Sequence, residues 1–161
     1  MKLTCVQPYI CQVQKSPKYE LHLLNIKIAL MKKIMAIDDE KSIRFILENT
    51  FKSEYEVTTW DNGLDALNDL QAGNLPDLII CDIEMPQMDG FEFIIKVRAS
   101  GFFDDIPLIM LSGKEDSKDK IKCFETGADD YILKPFNPKE LKARINRRMK
   151  SRDLFLSRFG N

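Results

Sequence analysis

Four short stretches of this chain carry residues that could do phosphoryl chemistry together: Asp38-Asp39-Glu40, Asp82, Ser112-Gly113 and Lys134-Pro135. Carboxylates crowded into one place repel and raise one another's pKa unless something positive sits among them. A hard, oxygen-seeking divalent ion meets that need. Mg²⁺ is the ion expected, held directly by Asp39 and Asp82 and through water by Asp38. With a metal and an ammonium group at hand, the Asp82 carboxylate can attack a phosphoryl group and become an acyl phosphate. The metal and Lys134 would neutralise the developing charge, while the Ser112 hydroxyl and a backbone N–H hold a remaining phosphoryl oxygen.

These stretches lie far apart in the chain, so the chemistry needs elements that bring them to one edge. From Lys33 onward, short apolar runs alternate with segments of helical period. Ile34-Met35-Ala36-Ile37, Glu56-Val57-Thr58-Thr59, Leu78-Ile79-Ile80-Cys81, Ile106 to Leu111 and Tyr131-Ile132-Leu133 are predicted strands, each followed by a helix. Runs without a polar alternate face belong in a parallel sheet covered on both sides. Asp61-Asn62, Asp89-Gly90 and Asn137-Pro138 mark helix starts with cap residues, and in the last case with proline at the first helical position. The last two helices are expected near Asp116 to Glu125 and Pro138 to Lys150. Five β/α units of this kind predict a doubly wound five-stranded parallel α/β domain with helices on both faces, in which ligands bind at the carboxyl ends of the strands. Asp38, Asp39, Asp82, Ser112 and Lys134 all fall at that edge.

A chain of 161 residues has room for one ordinary domain, and 44% apolar with 30% charged residues is the balance of a folded soluble protein. The net charge of −1 hides an uneven distribution: residues 1–30 hold four Lys and one Glu, and from Asn137 onward eight Lys or Arg face two acids. A solvated helix face is the preferred reading of that basic end. Cys5, Cys11, Cys81 and Cys123 form no C-x-x-C pair and no zinc spacing with His22, and no secretory leader is present, which points to a reducing, cytoplasmic setting. The most apolar N-terminal stretch, Leu21 to Leu30, is far short of the roughly 20 residues of a membrane span. Residues 1–30 read as an extension ahead of Met31, with translation expected to start at Met31; residues 31–150 form the domain and 151–161 a tail.

Four motifs together closely resemble the receiver domain of two-component response regulators, the CheY-like family, over about Lys33 to Lys150. They are Ile37-Asp38-Asp39-Glu40, Cys81-Asp82-Ile83-Glu84-Met85-Pro86-Gln87-Met88-Asp89-Gly90, Leu111-Ser112-Gly113 and Gly127-Ala128-Asp129-Asp130-Tyr131-Ile132-Leu133-Lys134-Pro135-Phe136. The resemblance implies a flavodoxin-like sheet of order 2-1-3-4-5. It makes Asp82 the phosphoacceptor, Asp38 and Asp39 the acidic pair, Lys134 the phosphoryl-site lysine, Ser112 the switch hydroxyl and Tyr131 the switch aromatic. It also implies that the backbone carbonyl of Glu84 is a further Mg²⁺ ligand and that the Lys134-Pro135 bond is cis. The partners implied are a sensor histidine kinase or histidine phosphotransfer protein as donor, and a downstream protein on the strand-five face. Such a domain promotes only its own phosphorylation and dephosphorylation. Glu84 and Lys114 either pair across the mouth of the pocket and hinder the attacking water, or are two solvated surface charges.

Two other functions compete. A haloacid-dehalogenase-like phosphatase uses similar groups, but there the nucleophile precedes the acidic pair, the reverse of the order here. A receiver with DNA-binding output needs a further domain, for which only about ten residues after the last predicted helix leave no room; contact through basic residues Arg144, Arg147, Arg148 and Arg152 is the remaining route to nucleic acid. A stand-alone receiver is therefore the expectation, with no membrane and no nucleic acid among its partners. Ile43, Ile46, Leu47 and Phe51 are expected on the inner face of the first helix, leaving Phe45 exposed for docking onto a helical bundle. Leu154, Phe155, Leu156 and Phe159 either bind a partner or pack back.

Overall fold

The computed structural model describes Leu21 and residues 31–159. The chain divides into two units, Met1–Met31 and Lys32–Asn161; apart from Leu21, the extension read at residues 1–30 lies outside the described residues. The second unit alternates strictly: β1 (Lys33–Ile37), α1 (Lys41–Phe51), β2 (Glu56–Trp60), α2 (Gly63–Gln71), β3 (Leu78–Asp82), α3 (Gly90–Arg98), β4 (Leu108–Ser112), α4 (Ser117–Glu125), β5 (Asp130–Leu133) and α5 (Pro138–Phe159). All strand pairs are parallel, in the order β2-β1-β3-β4-β5.

The sheet is apolar on both faces because both are covered. Met35, Ile37, Ile79, Cys81, Leu108 and Met110 pack with α2, α3 and α4, whose contributions include Leu70, Phe93 and Cys123. The alternate residues Ile34, Ala36, Leu78, Ile80, Ile109 and Leu111 pack with Leu47 and Phe51 of α1 and with Leu141, Ile145 and Met149 of α5. Each such Leu, Ile or Phe contributes about 1.5–3 kcal/mol on burial. Register then sets the site: Ile37 pairs with Cys81, so the next residues, Asp38 and Asp82, stand side by side. Ser112 pairs with Leu133, which puts Lys134 just beyond it.

Caps appear where the sequence marks them. Asn62 accepts from the Asp65 N–H, Asp89 from the Glu92 N–H, and Asn137 from the Lys139 N–H at 2.9 Å. Two boundaries differ from expectation by more than one residue, and one helix face differs. β4 starts at Leu108 instead of Ile106, since Pro107 has no N–H for the ladder, although its carbonyl still accepts from Ile79 at 2.9 Å. Ile46 is 42% exposed; it stands about 100° round the helix from Leu47, off the stripe formed by Ile43, Leu47 and Phe51. Phe45, at 65%, is exposed as expected.

The largest difference is at the end of the chain. α5 runs through to Phe159, not to Lys150, so most of the expected tail is helix. No Gly or Pro interrupts it before Gly160. Beyond Met149 charge contacts hold the helix: Arg152 donates to the carbonyls of Pro76 (3.3 Å) and Asp77 (3.2 Å), and Lys32 donates to both Asp153 oxygens at 2.6 and 2.5 Å. Leu154, Phe155 and Leu156 remain about half exposed, so they do not enter the core.

Candidate functional site

Asp38 and Asp82 are buried at the carboxyl ends of β1 and β3, and Asp39 beside them is exposed. A carboxylate oxygen from each lies within 4.8 Å of those of the others. Lys134 reaches in from the end of β5, its Nζ 2.7 Å from Asp38 Oδ2, 2.7 Å from Asp82 Oδ1 and 3.7 Å from Glu40 Oε1. The Lys134-Pro135 bond is cis. Sequence separation of nearly a hundred residues is thus reduced to direct contact by strand order alone.

Burial pushes the Asp82 carboxyl up to about 6, with Lys134 pulling it back down and Asp38 and Asp39 pushing it up further. Asp38 is raised for the same reason, against the opposing pull of Lys134. Burial alone would lower the Lys134 ammonium, but its hydrogen bonds with Asp38 and Asp82 outweigh that and hold it above its ordinary value. At neutral pH the lysine is charged and Asp82 is mostly ionised, which is the state a nucleophile needs.

Asp38, Asp39 and Asp82, with Glu40 also near Lys134, bring more negative charge than that ammonium neutralises, an excess a divalent cation would balance. Asp38 Oδ2 is buried with the Lys134 ammonium 2.7 Å away, and a carboxylate oxygen with one such neighbour keeps a lone pair for a cation. An all-oxygen donor set of this kind suits Mg²⁺. Asp39 and Glu84 line one cleft of about 550 Å³, together with Ile83, Met85, Pro86 and Phe91.

The loop after Asp82 is shaped by close backbone approach. The Gly90 N–H donates to Ile83 O at 2.9 Å, and a Cβ at Gly90 would come 2.2 Å from the Asp82 carbonyl oxygen. Glycine there does more than begin a helix; it lets α3 start against the peptide of the candidate phosphoacceptor.

Lys114 contacts Glu84, Ser112 and Tyr131 at once. Its ammonium pairs with Glu84, the first of the two readings the sequence leaves open, and the hydrogen bond and charge of Glu84 raise its pKa. Its carbonyl accepts from both Ser112 Oγ (3.0 Å) and Tyr131 Oη (2.9 Å), while its N–H donates to Ser112 Oγ at 3.1 Å. Ser112 and Tyr131 are both buried. The convergence of the two hydroxyls on one carbonyl has no sequence signal, because any residue supplies a carbonyl. Beside Tyr131 a cleft of about 530 Å³ is lined by Glu115, Lys120, Phe136, Glu140 and Arg144, between β5, α4 and α5.

A doubly wound domain with an acidic pair, a buried aspartate, a hydroxyl and a lysine at its carboxyl edge has the form of a phosphoryl-receiving signalling module. Residues 34–146 match the family model described as the response regulator receiver domain, and the chain belongs to that family. It is 44% identical over 123 residues to a probable transcriptional regulator, ycf27, of Guillardia theta, covering 76% of this chain and 47% of that one. To the alkaline phosphatase synthesis transcriptional regulatory protein PhoP of Bacillus subtilis it is 40% identical over 115 residues, 71% of this chain and 47% of the relative. The chain therefore spans about half the length of these curated relatives. Among solved structures, a putative response regulator from Chloroflexus aurantiacus superposes with a TM-score of 0.71 at 34% identity, covering 74% of this chain and 98% of that one. The chemotaxis protein CheY4 of Vibrio cholerae gives 0.68 at 36%, covering 73% and 98%. The domain is a signalling domain of two-component systems, and its sheet order is the one the resemblance implied. No helix among the described residues is long and apolar enough to cross a membrane.

Proposed function

We propose that Asp82 is the phosphoacceptor, taking a phosphoryl group from a histidine kinase or a histidine phosphotransfer protein. The observation that carries this reading is the double contact of Lys134, 2.7 Å from Asp82 and 2.7 Å from Asp38, inside an acidic cluster whose charge it does not balance alone. A carboxylate oxygen of Asp82 attacks phosphorus, the P–N bond to the donor imidazole breaks, and the imidazole leaves with the bonding pair and takes a proton. Mg²⁺, held by Asp38, Asp39, Asp82 and the Glu84 carbonyl, would supply charge neutralisation of the transferring oxygens. Lys134 supplies the protein's own share and holds Asp82 in place. Ser112 serves as the switch hydroxyl: to reach a phosphoryl oxygen it gives up the Lys114 carbonyl, leaving that acceptor to Tyr131.

The cleft beside Tyr131 is the face a downstream protein reads, and exposed Phe45 on α1 supports docking of the phosphoryl donor. The relatives named as transcriptional regulators make gene control the output of the longer proteins they describe. Direct DNA contact through the basic end of this chain has less support. Arg144 and Arg148 turn onto Asp130, and Arg152 onto Asp77 and Asp105. Incubation with Mg²⁺ and acetyl phosphate, followed by mass mapping, should label wild type on Asp82 and leave Asp82→Ala unlabelled. Equal labelling of both would overturn the assignment.

A further inference from the structure

Helix α1 begins differently from α2, α3 and α4. Asn62, Asp89 and Asp116 each cap their helix through a side-chain oxygen, whereas Glu40, at the same place before α1, makes no side-chain cap. The contact runs in the opposite direction. Arg44, in the first turn of α1, reaches back and donates through Nη1 to the carbonyls of Asp38 at 2.6 Å and Asp39 at 2.9 Å. From the strand side the Asp38 N–H donates to Trp60 O at 3.0 Å, and within the turn Asp38 Oδ1 accepts from the Glu40 N–H at 3.0 Å. The acidic turn is thus held by β2 on one side and by a guanidinium from α1 on the other.

Both carbonyls belong to residues whose carboxylates form the acidic cluster, so rotation of either peptide would swing a carboxylate out of place. Among the described residues the Arg44 side chain donates to these two carbonyls and forms no ion pair. A guanidinium presents several fixed N–H directions in one plane; a lysine ammonium in its place is a point charge on a flexible stem.

We propose that Arg44 is a positioning residue: it fixes the peptides of Asp38 and Asp39 so that their carboxylates face a divalent cation, and through that cation site supports phosphoryl transfer at Asp82. The inference rests on the reading of Asp38, Asp39 and Asp82 as the Mg²⁺ site. Its sign separates it from a plain charge effect. As a charge alone Arg44 repels a cation, so removing it would tighten Mg²⁺ binding; as a clamp, removing it loosens binding. Partners that hold metal ligands from behind commonly set affinity by roughly 10–100-fold.

The test titrates the full chain with Mg²⁺ by calorimetry, with emission of Trp60, the chain's single tryptophan, as a second readout at the neighbouring strand end. Wild type, Arg44→Lys, Arg44→Met and a charge control at the far end of α1, Lys52→Met, are compared. Arg44→Met should bind roughly tenfold more weakly, Arg44→Lys should fall between, and Lys52→Met should match wild type. Unchanged or tighter binding by both Arg44 variants overturns the clamp. A merely structural role would lower the urea midpoint and leave the affinity of the folded protein as it was, which also overturns it. Should Arg44→Met not fold, Arg44→Lys decides: affinity equal to wild type counts against the clamp. A wild type that takes up no Mg²⁺ overturns the reading of the site instead.

Discussion

At the amino edge of the sheet, Arg98 donates to the carbonyls of Gly127, Asp104 and Ile106 at 2.8–2.9 Å and to Asp129 Oδ2 at 2.9 Å. Asp129 Oδ2 in turn accepts from the Leu108 N–H at 2.8 Å. At the carboxyl edge, Lys134 forms ion pairs with Asp38 and Asp82 beside Asp39, while Arg44 turns its guanidinium onto backbone carbonyls. The first cluster satisfies its donors and balances its charge within the protein; the second leaves negative charge unbalanced and a buried carboxylate raised to about 6. Charge that is satisfied by the fold maintains the fold, and charge left over is available to an incoming ligand. The first ties together segments that precede β4 and β5 and the second ties those that follow β1, β3 and β5, so the gathering of acids and a base at strand ends does not by itself separate them. Their balance does.

Removing the cation from each edge should therefore have different consequences. Lys134→Met should reduce phosphorylation by acetyl phosphate by roughly 10²–10³-fold, the usual cost of losing one preorganised charge partner in such a site. It should also destabilise the metal-free protein at pH 7, with recovery on adding Mg²⁺ or lowering the pH, because either treatment relieves the carboxylates. Arg98→Ala should cost about 2–4 kcal/mol in urea denaturation, somewhat below the range for a fully buried pair since Asp129 is partly exposed. Neither Mg²⁺ nor mild acid should restore it. Recovery of Arg98→Ala by Mg²⁺ would erase the distinction between the edges.

The pH dependence of stability sharpens the contrast. Asp82 is raised from 3.8 to about 6 by burial, so between those values the folded state binds more protons than the unfolded state. Stability must then fall as pH rises through that window and level off above it. In metal-free buffer Asp82→Asn should be more stable than wild type at pH 7 by about 1–3 kcal/mol. The two should converge toward pH 4. Denaturation midpoints across pH 4–7 measure this; a difference independent of pH would mean that Asp82 is not the group under strain.

The legible part of this molecule was what depends on residue type and period. Apolar runs gave the five strands, cap residues gave helix starts, and the register of parallel strands made a single edge from Asp38, Asp82, Ser112 and Lys134. What stayed hidden depends on geometry or on groups every residue has. Arg44 acts on carbonyls, Lys114 is an acceptor through its own carbonyl, and Gly90 is required because a Cβ would meet the Asp82 peptide. The end of α5 was missed because Arg152 and Asp153 continue it by charge contacts after the apolar stripe of Leu141, Ile145 and Met149 ends.

The smallest effect concerns the rim, where the two kinds of charge meet. Lys114 and Glu84 are both exposed, so their pairing should matter little to stability and be screened by salt. It can still matter to rate, because Glu84 lines the cleft beside Asp39. Lys114→Ala is an informative change: it deletes the ammonium but keeps the backbone carbonyl on which Ser112 and Tyr131 converge, so those two hydrogen bonds survive while the Glu84 pair is lost. Dephosphorylation should become severalfold faster in the variant. Wild type should approach that faster rate as ionic strength rises, and the variant should be insensitive to salt. Equal rates for both proteins at every ionic strength would show that the rim pair is surface charge alone, and that water access to Asp82 is set deeper in the pocket.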